Sequence, residues 1–395
     1  MTRVLRGLTE VSVRAGLVVM LAVMPAGTAS VAAQQTRGCP ECDDGAALIA
    51  RFGLREGPTP VRELPGWAPP RRVVTPFDDE FVAALRAGVP GVEVVRVANL
   101  AEATAALAEA DVWIGQCQAD VVRAGTALRW IQLRSAGAET CAGLDVLRER
   151  GVLVTNAQAI YGPQIAEHAL ALMLTLSRGL HVFAAHQRDA VWNPSLSPGA
   201  RPDGPWELDG LWELGGKTLL VVGLGGIGTE LATRAHALGM RVIAIRNSGR
   251  DGPAFVEYVG LPDELVELAA RADGVVNATP LTPATRAMFD ARVFAAMKPT
   301  AFFVNVGRGE SVVTEDLVDA LRQRRLAGAG LDVMDPEPLP ADHPLWHMPN
   351  VVLTPHVAVG SDYLTPRFVR LVIENLGRYT RGDRLLSVVD LQRGY

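Results

Sequence analysis

The stretch Thr218-Leu219-Leu220-Val221-Val222-Gly223-Leu224-Gly225-Gly226-Ile227-Gly228 decides the fold. An apolar run rich in β-branched residues enters a glycine turn and leaves it into the helical pattern Thr229–Leu238. Strand, GxGxxG and helix thus follow in the order that a dinucleotide site requires. Gly223 permits the tight turn, Gly225 lets the backbone approach a pyrophosphate, and Gly228 lets helix and strand pack closely. Gly226 and Ile227 complete the turn, and the N-terminus of the helix that follows takes the phosphates. A glycine turn alone would be weak evidence, and its flanks make it specific.

Working outward, the same alternation recurs on both sides. Downstream, strands are expected at Arg241–Ile245, Gly274–Asn277, Ala301–Asn305, Gly328–Asp332 and Val351–Leu353, with helical patterns between most of them. Upstream, short apolar runs at Arg72–Val74, Val92–Val97, Val112–Ile114, Trp130–Leu133 and Val152–Val154 are separated by patterns such as Asp78–Ala87 and Ala101–Glu109. Strands separated by helices build parallel sheets through right-handed crossovers. The apolar stretch Gly162–His186, with Pro163 in its first turn, reads as one long buried helix connecting the two series. The expected fold class is α/β, with two Rossmann-like, doubly wound parallel-sheet domains, the first flavodoxin-like and the second nucleotide-binding. The first is expected from residues 72–160 plus 350–395, the second from 161–349.

With 395 residues there is room for two or three domains. A formal charge of −5 leaves no basic stripe for nucleic acid. Only two lysines, Lys217 and Lys298, are present, which sets Schiff-base chemistry aside. Residues 1–33 carry Arg3, Arg6 and Arg14, an apolar run from Ala15 to Ala26 and a small-residue stretch, the layout of a secretory signal peptide. That run is too short for a stable membrane span, so an exported protein is expected. A mis-assigned start codon ahead of a cytoplasmic chain is the alternative. Residues 34–71 read as a tethered, Pro-rich extension bearing Cys39-Pro40-Glu41-Cys42, for which a local disulfide is expected. No second pair or His cluster accompanies it, so no metal is expected. The roles of Cys117 and Cys141 stay open.

At the end of the second strand of such a unit an acid normally bonds the ribose 2′-hydroxyl of NAD. Here the stretch reads Ile245-Arg246-Asn247-Ser248-Gly249-Arg250. Arg246 and Arg250 offer charge-assisted bonds to a 2′-phosphate and Ser248 a hydroxyl, so NADP(H) is expected as the preferred cofactor, with NAD(H) usable. Arg246 stacking on adenine or facing water is the alternative.

Three further segments, Asn305-Val306-Gly307-Arg308-Gly309, Leu331-Asp332-Val333-Met334-Asp335-Pro336-Glu337 and Leu353-Thr354-Pro355-His356, sit where expected strands give way to loops. In an open parallel sheet that edge binds ligands. With the glycine turn upstream, the set resembles the D-isomer-specific 2-hydroxyacid dehydrogenase family across about residues 72–395. The resemblance implies that Arg308 binds the substrate's carboxylate and carbonyl oxygen, that His356 is the acid/base and that Glu337 is its partner. The chemistry agrees: imidazole can deliver a proton near neutrality, a neighbouring carboxylate favours its charged form, and a guanidinium fork pairs with a carboxylate.

The resemblance further implies that Ser135-Ala136-Gly137 holds the substrate carboxylate through backbone N–H groups. It also implies that Asp332 bonds the nicotinamide carboxamide, and that Thr279-Pro280 lies beside the cofactor. Glu167-His168 matches a family pattern and reads as a brace between the domains. After the histidine, Val357-Ala358-Val359-Gly360-Ser361 departs from the family pattern, as does the enlarged loop Asn193–Leu211. The expected reaction is reduction of a small 2-oxo acid, such as glyoxylate or hydroxypyruvate, to the D-2-hydroxy acid by a homodimer. A nucleotide-sensing protein without turnover is the rival, and the proton donor His356 speaks against it.

Overall fold

The computed structural model describes residues 39–193 and 211–394. The expected leader and most of the loop Asn193–Leu211 lie outside the described residues. The described residues begin with α1 (Pro40–Asp43) and α2 (Gly45–Phe52). A first sheet follows, made of β1 (Arg72–Thr75), β2 (Glu93–Arg96), β3 (Val112–Gly115), β4 (Trp130–Leu133) and β5 (Leu153–Thr155). Its helices are α3 (Asp79–Gly88), α4 (Leu100–Leu107), α5 (Ala119–Ala124), α6 (Glu139–Ala142) and α7 (Asp145–Glu149). All pairings are parallel in the order β2-β1-β3-β4-β5, which is the flavodoxin-like winding. Asp78 and Asn99 start α3 and α4 by accepting from the N–H groups of Phe81 and Glu102.

Two helices then lead to the second sheet. The stretch expected as one long helix breaks at Gly179, which adopts φ 62°, into α8 (Gly162–Ser177) and α9 (Leu180–Arg188) bent by 69°. The left-handed glycine ends the first helix and redirects the chain. The second series runs β6 (Thr218–Val222), α10 (Gly226–Ala237), β7 (Arg241–Ile245), β8 (Val256–Gly260), α11 (Leu265–Arg271), β9 (Gly274–Asn277) and α12 (Ala291–Ala296). It continues through β10 (Phe302–Asn305), α13 (Thr314–Arg322), β11 (Gly328–Leu331) and β12 (Val351–Leu353) to the closing α14 (Leu364–Arg381). The order β12-β11-β10-β9-β6-β7-β8, again all parallel, places the reversal of winding between β6 and β9. Strands β6, β9, β10 and β11 are buried along their whole length, as strands covered by helices on both faces must be.

Three further sequence expectations need correcting. Strand β8 was not anticipated: its first three residues are partly or fully exposed at the sheet edge, so it lacks the apolar run of its neighbours. Strand β12, assigned with residues 350–395 to the first domain, instead pairs with β11 and completes the second sheet. The chain re-enters the first domain only afterwards, where α14 packs and Tyr379 stacks on Trp130 with ring centroids 5.3 Å apart. Third, the extension is no loose tether. Glu41 pairs with Arg367 of α14 at 2.9 Å, both side chains nearly buried, and Gly57 N–H donates to Leu385 O at 2.7 Å.

The cysteines pair as Cys39–Cys42 and Cys117–Cys141. The second bridge ties the turn after β3 to α6 across 24 positions, against three for the first. On the loop-entropy model, replacing Cys117 and Cys141 together with alanine should lower the unfolding free energy by about 3 kcal/mol, and replacing Cys39 and Cys42 by less. Denaturant unfolding of the two variants under oxidising conditions measures the difference, and the reverse ranking would defeat the expectation.

Candidate active site

The nucleotide turn is built by close approach. Gly223 sits at φ 98°, and a Cβ there would meet the carbonyl of Ala278 at 2.8 Å. A Cβ on Gly228 would overlap the Gly223 carbonyl oxygen, so only glycine lets α10 start so near β6. At Gly225, the residue before α10, a Cβ would meet nothing within 4 Å. That open space fronts a helix N-terminus, whose first N–H groups have no partner within the helix. A pyrophosphate therefore fits this turn in shape and charge. Gly226 and half-buried Ile227 follow, with Gly226 pressed against Ala159 ahead of α8.

At the end of β7, Arg246 Nε donates to Ser248 Oγ at 2.9 Å and its Nη1 to Asp251 O at 2.9 Å. The two residues expected to meet a 2′-phosphate are thus brought together. Arg250 is not with them. Its guanidinium pairs with Glu264 at 2.8 Å and donates to the Tyr258 hydroxyl and to Val259 O. The Tyr258 hydroxyl, the Leu261 N–H and Arg250 together hold the Glu264 carboxyl down to about 2.

The neighbouring strands β9, β10 and β11 all end on buried polar side chains: Asn277, Asn305 and, one residue on, Asp332. A buried polar group must find partners, and these find them in the loops that follow. Asn277 Oδ1 accepts from the amide and hydroxyl of Thr279, at 3.0 and 2.7 Å, while its Nδ2 donates to Asn305 Oδ1 at 2.9 Å and Ser311 Oγ at 2.7 Å. Asn305 accepts from Gly307 N–H, and both Asn305 Nδ2 and Ser311 Oγ donate to Arg308 O, at 3.0 and 2.6 Å. Thr279 is thereby turned inward, Pro280 is exposed, and the Arg308 backbone is clamped.

Asp332 does for His356 what the asparagines do for Arg308. Its Oδ1 accepts from Thr354 Oγ1 at 2.7 Å and Val357 N–H at 2.9 Å, and its Oδ2 accepts from Ala358 N–H at 3.1 Å. Its backbone carbonyl accepts from His356 N–H at 2.8 Å. With its carboxylate buried and engaged in this way, Asp332 positions the loop that carries His356. His168 of α8 bonds Thr354 Oγ1 at 2.9 Å, and Glu167 pairs with Arg234 of α10 at 3.2 Å, so that pair braces the core of the site.

The loop holds His356 at φ 54°, a left-handed conformation that a non-glycine residue keeps only where its surroundings impose it. Its Nδ1 lies 2.8 Å from Glu337 Oε2, and Glu337 Oε1 accepts from Met334 N–H at 2.9 Å. An ionised carboxylate only accepts, so Nδ1 carries the proton and Nε2 is left to face a ligand.

Across the cleft, every carbonyl of the loop after β4 has a donor. Tyr161 OH donates to Arg134 O at 2.8 Å, Ala157 N–H to Ser135 O at 2.9 Å, Asn156 Nδ2 to Ala136 O at 2.7 Å and Ser135 Oγ to Gly137 O at 2.6 Å. Burial pushes the Tyr161 phenol well above its ordinary value, so it remains a donor. The N–H side of Ser135, Ala136 and Gly137 is then the side that a carboxylate can use. Gly137 lies so close to Arg308 that a Cβ would collide with the guanidinium. Arg308 Nε donates to Glu139 Oε1 of α6 at 3.0 Å, and Nη1 to Gly307 O at 2.7 Å. Sequence reasoning missed Glu139, Asn277, Asn305 and Ser311. A polar residue closing an apolar strand was the legible signal for the two asparagines, whereas Glu139 meets Arg308 only through folding.

Fold and site together define a two-domain, nucleotide-dependent α/β enzyme with a cation, a histidine and a carboxylate at the mouth of the nucleotide sheet. The chain belongs to the D-isomer specific 2-hydroxyacid dehydrogenase family, whose NAD binding domain matches residues 170–358. It is 34% identical over 270 residues to a glyoxylate reductase of Korarchaeum cryptofilum, covering 67% of this chain and 77% of that one. It is 33% identical over 276 residues to the human glyoxylate reductase/hydroxypyruvate reductase, covering 68% and 79%. Among solved structures it resembles an NADPH-dependent glyoxylate/hydroxypyruvate reductase of Sinorhizobium meliloti, in complex with NADP and sulfate. The TM-score is 0.68 at 28% identity, covering 82% of this chain and all of that one.

The Glu264 cluster yields a titration test. A carboxyl held down in the folded state adds stability above its unfolded value of 4.5, and that contribution is lost as pH falls toward about 2. Tyr258→Phe and Arg250→Ala should each raise the Glu264 titration point, the first more than the second. An NMR titration in which neither moves it would refute the arrangement.

Proposed function

We propose that this protein is an NAD(P)-dependent oxidoreductase that reduces small 2-oxo acids, glyoxylate and hydroxypyruvate first among them, to D-2-hydroxy acids. The observation that carries the reading is the pairing of His356 with Glu337 beside Arg308, on the edge of a sheet whose turn fits a dinucleotide. When bound, the nicotinamide supplies a hydride to the carbonyl carbon. The guanidinium of Arg308 binds the substrate carboxylate and steadies the charge that develops on the carbonyl oxygen. His356 Nε2 gives that oxygen its proton, and Glu337, through Nδ1, keeps the ring oriented. The N–H groups of Ser135–Gly137 close on the carboxylate from the other domain and exclude water.

NADP(H) is the preferred cofactor because Arg246 and Ser248 stand where NAD enzymes carry an acid. Export is supported by the leader at residues 1–33 and by the pairing of all four cysteines. A homodimer is the family expectation, and exposed Leu180, Val191 and Trp192 around α9 give a second copy apolar surface to cover.

Glu139 bears on the substrate step. Its carboxylate holds Arg308 at 3.0 Å, in competition with a substrate carboxylate. Following NADPH oxidation with glyoxylate and hydroxypyruvate, His356→Ala should lower kcat by about 10²- to 10⁴-fold. Unchanged turnover in that variant would sink the mechanism. Glu139→Gln should lower KM for the 2-oxo acid about two- to fivefold, and a raised KM would instead make Glu139 a support for Arg308.

A further inference from the structure

Arg393 stands where no motif points. A cleft beside the nucleotide turn is lined by Asn247 and Ser248 from the loop after β7, by Thr282, Pro283 and Ala284 from the loop after β9, and by Arg393. The first five belong to the nucleotide-binding sheet. Arg393 belongs to the tail after α14, which is fixed to the other domain. Asn156 N–H donates to Ser387 O at 3.1 Å, Val389 N–H to Val154 O at 2.9 Å, and Arg148 Nη1 to Leu391 O at 3.4 Å. Asp390 then turns the chain: its Oδ1 accepts from the N–H groups of Gln392 and Arg393, at 2.9 and 3.1 Å, and its carbonyl accepts from Gly394 N–H at 2.8 Å. Arg393 therefore sits on a capped turn of one domain and reaches a cleft of the other.

The cations around this cleft are unequally committed. Arg250 is bound to Glu264, Tyr258 and Val259. Arg246 uses two donors within its own loop, on Ser248 and Asp251. Arg393, among the described residues, has one ion pair, a 3.5 Å contact of Nε with Asp390, and its side chain is 72% exposed. A guanidinium fork presented in this way, beside a serine hydroxyl and a second arginine, is suited to a dianionic phosphate oxygen set.

We propose that Arg393 is a cofactor-binding residue supplied by the substrate domain, pairing with the phosphate on the adenosine ribose of NADP(H) beside Ser248 and Arg246. The inference rests on the reading of the protein as an NADP(H)-using reductase and adds a consequence to it. A cation contributed from the opposite domain meets that phosphate only when the domains are together. The 2′-phosphate thus helps to close the cleft in which Ser135–Gly137 meets Arg308. An NADH-bound enzyme lacks that contribution.

The test is equilibrium binding of NADPH and of NADH to the full mature chain, read by nicotinamide fluorescence, for the parent, Arg393→Ala, Arg393→Lys and Arg246→Asp. Arg393→Ala should weaken NADPH binding about tenfold while changing the Kd for NADH less than twofold, and Arg393→Lys should recover part of the loss. Equal effects on the two cofactors, or none, would overturn the inference. If the parent prefers NADPH and Arg246→Asp removes that preference while Arg393→Ala does nothing, only the role of Arg393 falls. If the parent shows no preference for NADPH, the cofactor reading falls with it. Arg393 is exposed, and the lysine variant separates loss of charge from any disturbance of the tail.

Discussion

Buried polar side chains at the ends of three adjacent parallel strands organise everything the site does. Asn277, Asn305 and Asp332 are each almost completely shielded from water. Leaving such a group without partners costs about 1–3 kcal/mol, so the loops that follow must fold back to supply donors and acceptors. In doing so they turn Thr279 inward, clamp the carbonyl of Arg308 and hold His356 in a left-handed conformation against Glu337. The chemistry-bearing residues are thereby placed by a network of buried side chains at the strand ends.

The second organising feature is the set of contacts that cross between the domains. Arg308 reaches Glu139, and Gly137 lies against the same guanidinium. The N-terminal extension adds a third crossing, because Arg51 of α2 pairs with Glu230 of α10 at 2.5 Å while Glu41 is bound to α14. A segment of this kind couples the helix behind the pyrophosphate turn to the helix that covers the first sheet. Its polar contacts are made with both domains. The bridge between Cys117 and Cys141 acts on the same region by pinning α6, the helix that carries Glu139.

Much of this was legible from periodicity and punctuation. Both sheets follow from apolar runs at regular intervals, because a strand covered on both faces must be apolar throughout, and the glycine turn follows from its flanks. The failures have physical causes. Strand β8 lies at an edge and shows its polar side to water, so it lacks that run. The break at Gly179 looked like one tolerated glycine in a long helix, and only the need to pack α9 at an angle makes it a stop. The extension looked loose because prolines break regular structure, while its anchors, Glu41 on Arg367 and Gly57 on Leu385, lie more than 300 residues away.

By itself the sequence determined the class of the fold and the dinucleotide turn, because each is a local matter of residue type, spacing and position at a strand end, and its resemblance to a known family singled out Arg308, Glu337 and His356. The tertiary structure alone decided that Arg246 bonds Ser248 and that Arg250 is held by Glu264. It alone decided that Asp332 positions a loop and that Glu139 and Gly137 meet Arg308. Charge and hydrogen-bonding capacity belong to a residue, whereas the partner that satisfies them is chosen by whatever the packed chain brings within about 3 Å.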